Sequence, residues 1–533
     1  MPGGSPKDIT VRSGPWTSGL NNAIDASELR EGELAEATNV EVESGGTVTR
    51  RQAVQGIRDL DALGLITVLF PTRKGQAVHF GVWNATSQVM TVKFALVEEQ
   101  EGESEPSITF PALPETAFSG SSTSGISPFE APLTFIDAAG GVIYACCNRI
   151  VKVRDRSDGE VWIDLPNIPT GDRGFINSDT AETGNEAQSV MGTDTGFFPE
   201  ADLIGTWTFG ASGTFALATI GRTLRWSLPL TPDTDKGFQD WDTAHKFAFP
   251  GEGPITAVQQ VQDSLLVFTK GRAWQIYGNS PPESIVRKVS DTVGCSHPHN
   301  VAETASAVVW YDDGSRSLWA FTADGSIQDV WAQKVSLPRG TLCRAIVTAD
   351  EKVFAALSYP DDTTGVYVTD LRIGSVVSWT VPTSALGAVD TGKFQCVLAG
   401  TSEPEGGFVV LYEPDAEVSE DEGDVFVPDG AAVPFEASIT TNVLRPDPPD
   451  QRARWRRAFG WVSRGTPSDV SVTVEVDSKT CPTRTGRGSG GGLANFGWIR
   501  KFGNSCSLKA VIASRQTSIS KLAAVYWRGT RSL

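Results

Sequence analysis

The 533-residue sequence predicts an all-β chain, and three observations carry that expectation. Its 54 Gly and 31 Pro place a turn-forming residue at about one position in six, while 25 Phe and 15 Trp supply the aromatic content that half-buried strands favour. Apolar stretches of strand length recur, beginning near Ala77 (AVHFGVW), Gly141 (GVIYACC), Asp263 (DSLLVFTKGRAWQIYG), Ser306 (SAVVWYDDGSRSLWAF), Lys352 (KVFAALSY) and Phe394 (FQCVLAG), with a vaguer one near Gly213; the last four of the six lie 43, 46 and 42 residues apart. In Val470–Val476 every even position is Val and every odd one polar, the alternation of a strand with one face in a core and one in water. A period of roughly 40–50 residues with several strands per unit is the mark of a β-propeller, whose blades cannot bury their faces singly. The expectation is an all-β, β-propeller-like core over residues 61–430, an extended N-terminal arm (1–60) and a C-terminal β module (431–533).

Along the chain, Gly19-Leu20-Asn21-Asn22 precedes a short helix-like stretch from Ser27 to Thr38, followed by Asn39-Val40-Glu41-Val42, Gly45-Gly46 and Arg50-Arg51. Leu29 and Leu34 give this stretch too little apolar surface to fold alone, so it must lie on something larger. Within the core, Asp158-Gly159, Asp313-Gly314 and Asp324-Gly325 offer the positive φ angles of tight hairpin turns. The acidic and then Ser/Gly-rich tract near 97–125 and the Gly/Asp/Thr-rich tract near 165–200 break the period and read as insertions. A second acidic run, Glu417 to Asp424, precedes the terminal module, where Lys521–Trp527 is a further strand and Arg484 to Gly492 a flexible loop tip.

The net charge of −19 opposes wrapping of nucleic acid by phosphate neutralisation. It is divided unevenly: residues 431–533 hold 16 Lys and Arg against 6 Asp and Glu, whereas residues 1–430 hold 29 against 58. A chain polarised in this way can dock end to end on copies of itself or on a neighbour; a basic terminal module with no special partner is the plain alternative. Seven Cys, an odd number with two adjacent, do not form the dense framework of a small secreted domain. Met1–Asp8 carries no basic-then-apolar leader, and no apolar run approaches the ~20 residues of a membrane-spanning helix. The expectation is a chain folded in a reducing cytoplasm, without membrane insertion.

Few residues offer chemistry. Four His are a meagre supply for acid–base work near neutrality. Cys295-Ser296-His297-Pro298-His299 gathers soft donors that a transition metal could use, but no second Cys/His pair lies at finger-like spacing, and a connection between blades with Cys295 buried is the simpler reading. Asp233-Thr-Asp-Lys-Gly237 opens like a calcium loop, yet the twelfth position is Ala244 where a bidentate Glu is required, which leaves at most a loose surface calcium. Ser157-Asp-Gly-Glu-Val-Trp162 is a shortened version of the turn repeated in propeller sialidases. The Gly-rich 486–492 stretch lacks a phosphate-cradling ending, and neither a Gly-x-Ser-x-Gly elbow nor a His-Glu-x-x-His pair is present. No catalytic, cofactor-binding or metal residue is therefore assigned. The candidate interaction residues are Arg452, Arg454, Arg456 and Arg457, a cationic run around Trp455 suited to nucleic acid, to an inter-subunit row of salt bridges, or to the polar face of a strand.

Three separated stretches resemble the tail nozzle, or packaged-DNA stabilisation, proteins of short-tailed bacteriophages. One is Gly19-Leu-Asn21, Leu29, Gly32-Glu33, Ala37-x-Asn39-Val40, Gly46 and Arg50. Another is Arg225-Trp226-Ser227 with Trp241, leading to Leu265-Leu-Val-Phe-Thr269, Trp274 and Gly278. The third is Val293-Gly294-Cys295, Pro298 and Val308-Val-Trp310 with Gly314; Trp498 and the Arg528-Gly-Thr-Arg531 tail are also similar to the ends of such proteins. The resemblance implies a structural virion protein without enzymatic activity or cofactor, assembled in the host cytoplasm as a homo-oligomer, a six-membered ring below the portal and its adaptor ring. That ring carries the tail tip, plug or fibre proteins and conducts double-stranded DNA at ejection. Two expectations follow: an acidic lumen that repels the duplex, and a residue 1–50 arm that reaches the neighbouring ring and can be deleted from a propeller that still folds. The rival expectations are a carbohydrate-binding or glycan-cleaving propeller, with aromatics and acids at one mouth, and a propeller that recruits proteins.

Overall fold

The computed structural model describes residues 8–527 except 60–64, 73–76, 85–86, 88, 99–106, 110–115, 119–131, 139–142, 155–161, 165–174, 177–197, 210–212, 228, 230–240, 251–252, 279–283, 391–394, 402–406, 414–422, 427–431, 447–452 and 489–491. Among the described residues the elements are strands and two short 3-10 turns.

Among the described residues, seven antiparallel sheets follow one another along the chain as the blades of a β-propeller. Blade 1 is Leu65–Pro71, Ala77–Asn84, Val89–Glu98 and Ser107–Thr109; blade 2 is Thr134–Asp137, Ile143–Cys147, Ile150–Arg154 and Trp162–Asp164. Blade 3 is Leu203–Phe209, Gly213–Ile220, Thr223–Ser227 and Trp241–Ala248, and blade 4 is Ala257–Val261, Ser264–Thr269, Arg272–Tyr277 and Ile285–Ser290. Blade 5 comprises Val301–Glu303, Ala307–Asp312, Ser317–Thr322 and Ile327–Asp329; blade 6 comprises Leu342–Ala349, Lys352–Ser358, Thr364–Asp370 and Ser375–Trp379. Blade 7 takes Ala385–Asp390, Gln395–Gly400 and Gly407–Tyr412 and borrows its outer strand, Gln55–Asp59, from the start of the chain. This borrowed strand ties the two ends of the propeller together. Each apolar run noted in the sequence, including the one near Gly213, contains or abuts the second strand of a blade, which is buried on both faces and so reads as a continuous apolar stretch: Ser264–Thr269 and Ala307–Asp312 are buried throughout.

The first strands of blades 2 to 7 contact one another in order around the hub, the last of them also contacts Leu65–Pro71 of blade 1, and Val68 packs with Leu133 and Phe135 where blade 1 meets blade 2. The cores lie between blades: Ala257, Leu266, Phe268 and Cys295 pack with Val308, Trp310 and Phe321. The seam between blades 4 and 5 is tight at Val293-Gly294-Cys295. A Cβ on Gly294 would lie 2.1 Å from the Thr269 carbonyl oxygen and 2.6 Å from the Arg272 nitrogen, both backbone atoms. Its N–H donates to Asp312 Oδ1 (3.1 Å), and the Cys295 N–H donates to Thr269 O (3.1 Å).

The N-terminal residues correct the expectation of a separate arm. Asp8–Ser13 pairs along Ser518–Trp527, and Glu33–Thr38 is a strand rather than part of a helix, set between Ser375–Trp379 of blade 6 and Ala437–Thr441. Ala437–Thr441 pairs with it from Leu34 to Thr38, while on its other side Gly19–Leu20 takes Glu33 and Leu34 and Ser378 takes Thr38, partners that a marginal isolated helix would lack. Gly19 (φ +64°) makes the approach possible, since a Cβ there would meet Val376 O at 2.4 Å. Asn39, also left-handed at φ 53°, acts as a buried rivet. Its Nδ2 donates to Thr380 Oγ1 (2.8 Å) and Glu436 O (3.0 Å), while its Oδ1 accepts from Thr380 N (2.8 Å) and Arg51 Nε (3.0 Å).

The terminal module is a sandwich of two sheets. One runs Val40–Val42, Val48–Arg50, Ser518–Trp527, Ala453–Arg464 and Gly492–Gly503; the other continues from the outer strand of blade 6 through Gly19–Leu20, Glu33–Thr38, Ala437–Thr441, Cys506–Ile512 and Val470–Val476. Trp455, Phe496, Leu522 and Tyr526 from the first share one core with Val470, Val472, Val474 and Leu508 from the second, and that core is continuous with blade 6 through Trp379 and Phe354. The module therefore extends blade 6, while blade 7 is closed by Gln55–Asp59. The 484–492 loop tip is partly anchored, since Arg484 and Thr485 pair with Val470–Val476. In the 312–317 turn the left-handed residue is Arg316 (φ 55°) and not Gly314, whereas Gly325 (φ +82°) takes the expected conformation.

Candidate functional site

Three of the four candidate arginines converge on one face of the module; Arg452 lies outside the described residues. Along Ala453–Arg464 the side chains first alternate, with Ala453 and Trp455 buried and Arg454 exposed. The register then slips between Trp455 and Arg457 against both neighbouring strands. A bulge of this kind puts two consecutive side chains on one side. The Arg456 and Arg457 guanidiniums accordingly both reach the ring of Trp498, 5.1 and 3.9 Å from its centre, on the adjacent strand Gly492–Gly503. Arg500 reaches the same ring at 5.7 Å, and Arg454 lies 5.6 Å from the centre of the Phe502 ring. Trp498 is 41% exposed, Phe502 63% and nearby Leu493 55%. Each cation–ring contact at such exposure is worth about 0.5–1 kcal/mol. That is enough to hold the guanidinium planes against the rings, and arginine is the side chain whose fork grips a carboxylate or phosphate bidentately.

Gly492–Gly503 is the last strand of its sheet. Left-handed residues at Gly497 (φ 87°) and Arg500 (φ 55°) and a second register slip between Ala458 and Phe459 interrupt its ladder. Such an edge is a poor template for adding another strand. The side-chain face, not the backbone edge, is what this element presents.

The second place where chemistry could reside is the mouth of the hub. The 3-10 turn Pro298–Asn300 sits just before blade 5, and His299 Nε2 lies 2.9 Å from the Leu133 carbonyl oxygen at the start of blade 2. In a ring of seven, blades 2 and 5 are as far apart as two blades can be, so this contact passes over the hub. His297 is 5.1 Å from His299, ring centre to ring centre. Burial pushes the His299 imidazole down to about 4, against a smaller opposing effect of the Leu133 carbonyl. Burial, then His299 and Arg344, hold His297 well below the usual histidine range. Burial raises Asp313, whose partner is Ser296 Oγ. The Cys295 thiol points at the His297 carbonyl oxygen (3.1 Å) and is pushed far up by burial, which opposes the thiolate that a nucleophile or metal ligand requires. Among the described residues no group of three His, Cys, Asp or Glu side chains could hold a metal ion.

The calcium-like Asp233–Gly237 lies outside the described residues, as does most of Ser157–Trp162, of which Trp162 opens the outer strand of blade 2. Sequence reasoning missed Trp498, Arg500 and Phe502 as parts of the arginine face, although Trp498 and its cationic neighbours are visible in the text. The convergence depends on a bulge that residue types do not announce.

No family model matches the sequence, and no curated protein matches it. Among solved structures the chain is similar to virginiamycin B lyase from Staphylococcus aureus (TM-score 0.39, 9% identity, 67% of this chain and 99% of that one). It is also similar to Sqt1 from Saccharomyces cerevisiae (TM-score 0.37, 10% identity, 68% and 99%) and to the β-propeller domain of the trilobed protease from Pyrococcus furiosus (TM-score 0.35, 10% identity, 66% and 100%). These similarities add nothing about activity; the propeller assignment rests on the strand pairings above.

Proposed function

We propose that the chain is a structural subunit of a bacteriophage tail nozzle, one copy of a ring, six-membered by the resemblance, that continues the channel below the portal and its adaptor and retains and then conducts the genome. The observation that carries this reading is where the resembling residues sit. Gly19, Asn39, Gly46, Arg50 and Gly294 are positions the architecture needs: left-handed turns, a buried amide rivet, a guanidinium donating to the Ala513 carbonyl oxygen (2.6 Å), and a seam with no room for a Cβ. A pattern made of such residues supports a reading as scaffold rather than as catalyst.

In this reading the duplex runs between chains, because the His299–Leu133 contact spans the hub of the propeller itself. The acidic excess of residues 1–430 lines the conduit. DNA carries one negative charge per about 1.7 Å and slides past a wall of its own sign without adhering. The ring binds adaptor proteins on one side and tip, plug or fibre proteins on the other. The test is the mass of the purified protein by light scattering, alone and with an adaptor ring, followed by imaging of virion tails. A species near six times the 56.9 kDa chain, seated below the portal, is expected. A lone chain remote from any capsid exit, a lumen lined mostly by Lys and Arg, or turnover of a polysaccharide at the hub would overturn the reading.

A further inference from the structure

We propose that the arginine–aromatic face of the terminal module (Arg454, Arg456, Arg457 and Arg500 around Trp498 and Phe502) is the docking surface for the acidic propeller of a second copy of this chain. The inference rests on the ring reading and names the surface that would build the ring.

Charge argues for this occupant. The face lies in the segment with ten more positive than negative charges, and the rest of the same chain holds 58 acidic against 29 basic side chains. The surplus of each part is the complement of the other. Opposite fields steer association and set its direction, and a contact between unlike patches is heterologous, the kind that closes into rings when the rotation permits. The apolar content points the same way. Of the eight large hydrophobic side chains exposed among the described residues, three (Leu493, Trp498 and Phe502) stand on the single strand Gly492–Gly503. Aromatic and arginine side chains together are what interface centres are built from. The broken ladder of that strand discourages edge-to-edge growth, so contact is made through side chains that demand a particular partner. A plain solvated face explains the arginines but not the exposed rings beneath them.

The alternative occupant of this chemistry is nucleic acid, whose phosphates the same forks would grip. It is disfavoured because the chain carries −19 overall and the patch is small against that field.

The experiment compares the full-length wild type with Arg454→Glu/Arg500→Glu and with Phe502→Ser, substitutions at exposed positions. Self-association is followed by analytical ultracentrifugation between 50 and 500 mM NaCl, with circular dichroism and melting as controls for folding. The expected result is self-association weakened at least about tenfold in the double variant and several-fold in Phe502→Ser. Salt should weaken the wild type, as pairs exposed at the rim lose their attraction beyond a Debye length of about 10 Å at 0.1 M. A double variant that folds and assembles like the wild type overturns the inference and leaves the ring reading standing. A wild type that stays single at every concentration, with and without adaptor, overturns the ring reading and the inference with it. A fluorescent single-stranded or duplex oligonucleotide retained by the wild type, released by the double variant and indifferent to assembly overturns the inference in favour of nucleic acid.

Discussion

Replacing Asp424 tests whether the N-terminal residues belong to the body of the protein. Its carboxylate takes both arms of the Arg51 guanidinium, Nη1 to Oδ1 at 2.8 Å and Nη2 to Oδ2 at 2.6 Å, and Oδ1 also accepts the Val54 N–H at 2.9 Å. The two side chains are 0% and 5% exposed, and the guanidinium lies 3.8 Å from the centre of the Phe435 ring. Asp424→Ala removes the counter-charge and leaves a guanidinium with no access to water. Breaking a buried pair in this way costs about 3–5 kcal/mol. Arg51 keeps its bonds to Asn39 Oδ1 (3.0 Å) and Gln52 O (2.7 Å), which favours the lower part of that range. Substituting both partners, Arg51→Met with Asp424→Leu, should cost less than Asp424→Ala alone, since no charge is then stranded. A chain of 533 residues need not unfold in one step, so the assay is native-state hydrogen exchange at the amides of Val54 and of Val425, which donates to Val54 O (2.8 Å). A loss of about 3 kcal/mol accelerates exchange by more than about a hundredfold. Less than tenfold acceleration, or a double variant worse than Asp424→Ala, would refute the reasoning.

Three further predictions concern the seams and the hub. The His pair makes the hub sensitive to acid: because folding lowers both histidines below the ordinary value near 6.5, the unfolded chain takes up protons that the native state refuses. Their stabilising contribution is complete above about pH 6.5 and is lost as pH falls, for His299 until about pH 4, with an upper limit of about 3 kcal/mol that the ring's partial exposure reduces. Unfolding at pH 7, 5.5 and 4.5 should show the difference between wild type and His299→Gln shrinking with acid, and a constant difference would count against it. Gly294→Ala forces the backbone of blade 4 apart and should cost at least about 1–3 kcal/mol from overpacking, with further loss if the bond to Asp312 breaks; a melting curve like that of the wild type would contradict the seam. Deleting residues 1–50 leaves Gln55–Asp59 to close blade 7 but strips Asp8–Ser13 and Val48–Arg50 from Ser518–Trp527. It also removes Glu33–Thr38 from beside Ser375–Trp379, so the module and the outer strand of blade 6 should exchange rapidly while the other blades keep their protection, and the exposed edges should aggregate, whereas a soluble truncation with native exchange throughout would refute the pairing.

The sequence alone determined the all-β class, the apolar runs that mark the blades and the inward valines of Val470–Val476, because each is a local pattern that the period-2 geometry of a strand imposes on its own residues. It also located the arginines. What it did not contain was the pairing of distant strands. Glu33–Thr38 looks helical until Ala437–Thr441 and Ser375–Trp379 lie beside it, and Gln55–Asp59 shows no sign of belonging to a blade whose other strands begin at Ala385. Arg456 and Arg457 should by alternation face opposite ways, and only the bulge shared with two neighbouring strands brings both to Trp498. The tertiary structure decided these points because hydrogen bonds between strands join residues hundreds of positions apart, and no local preference encodes which partner a strand will meet.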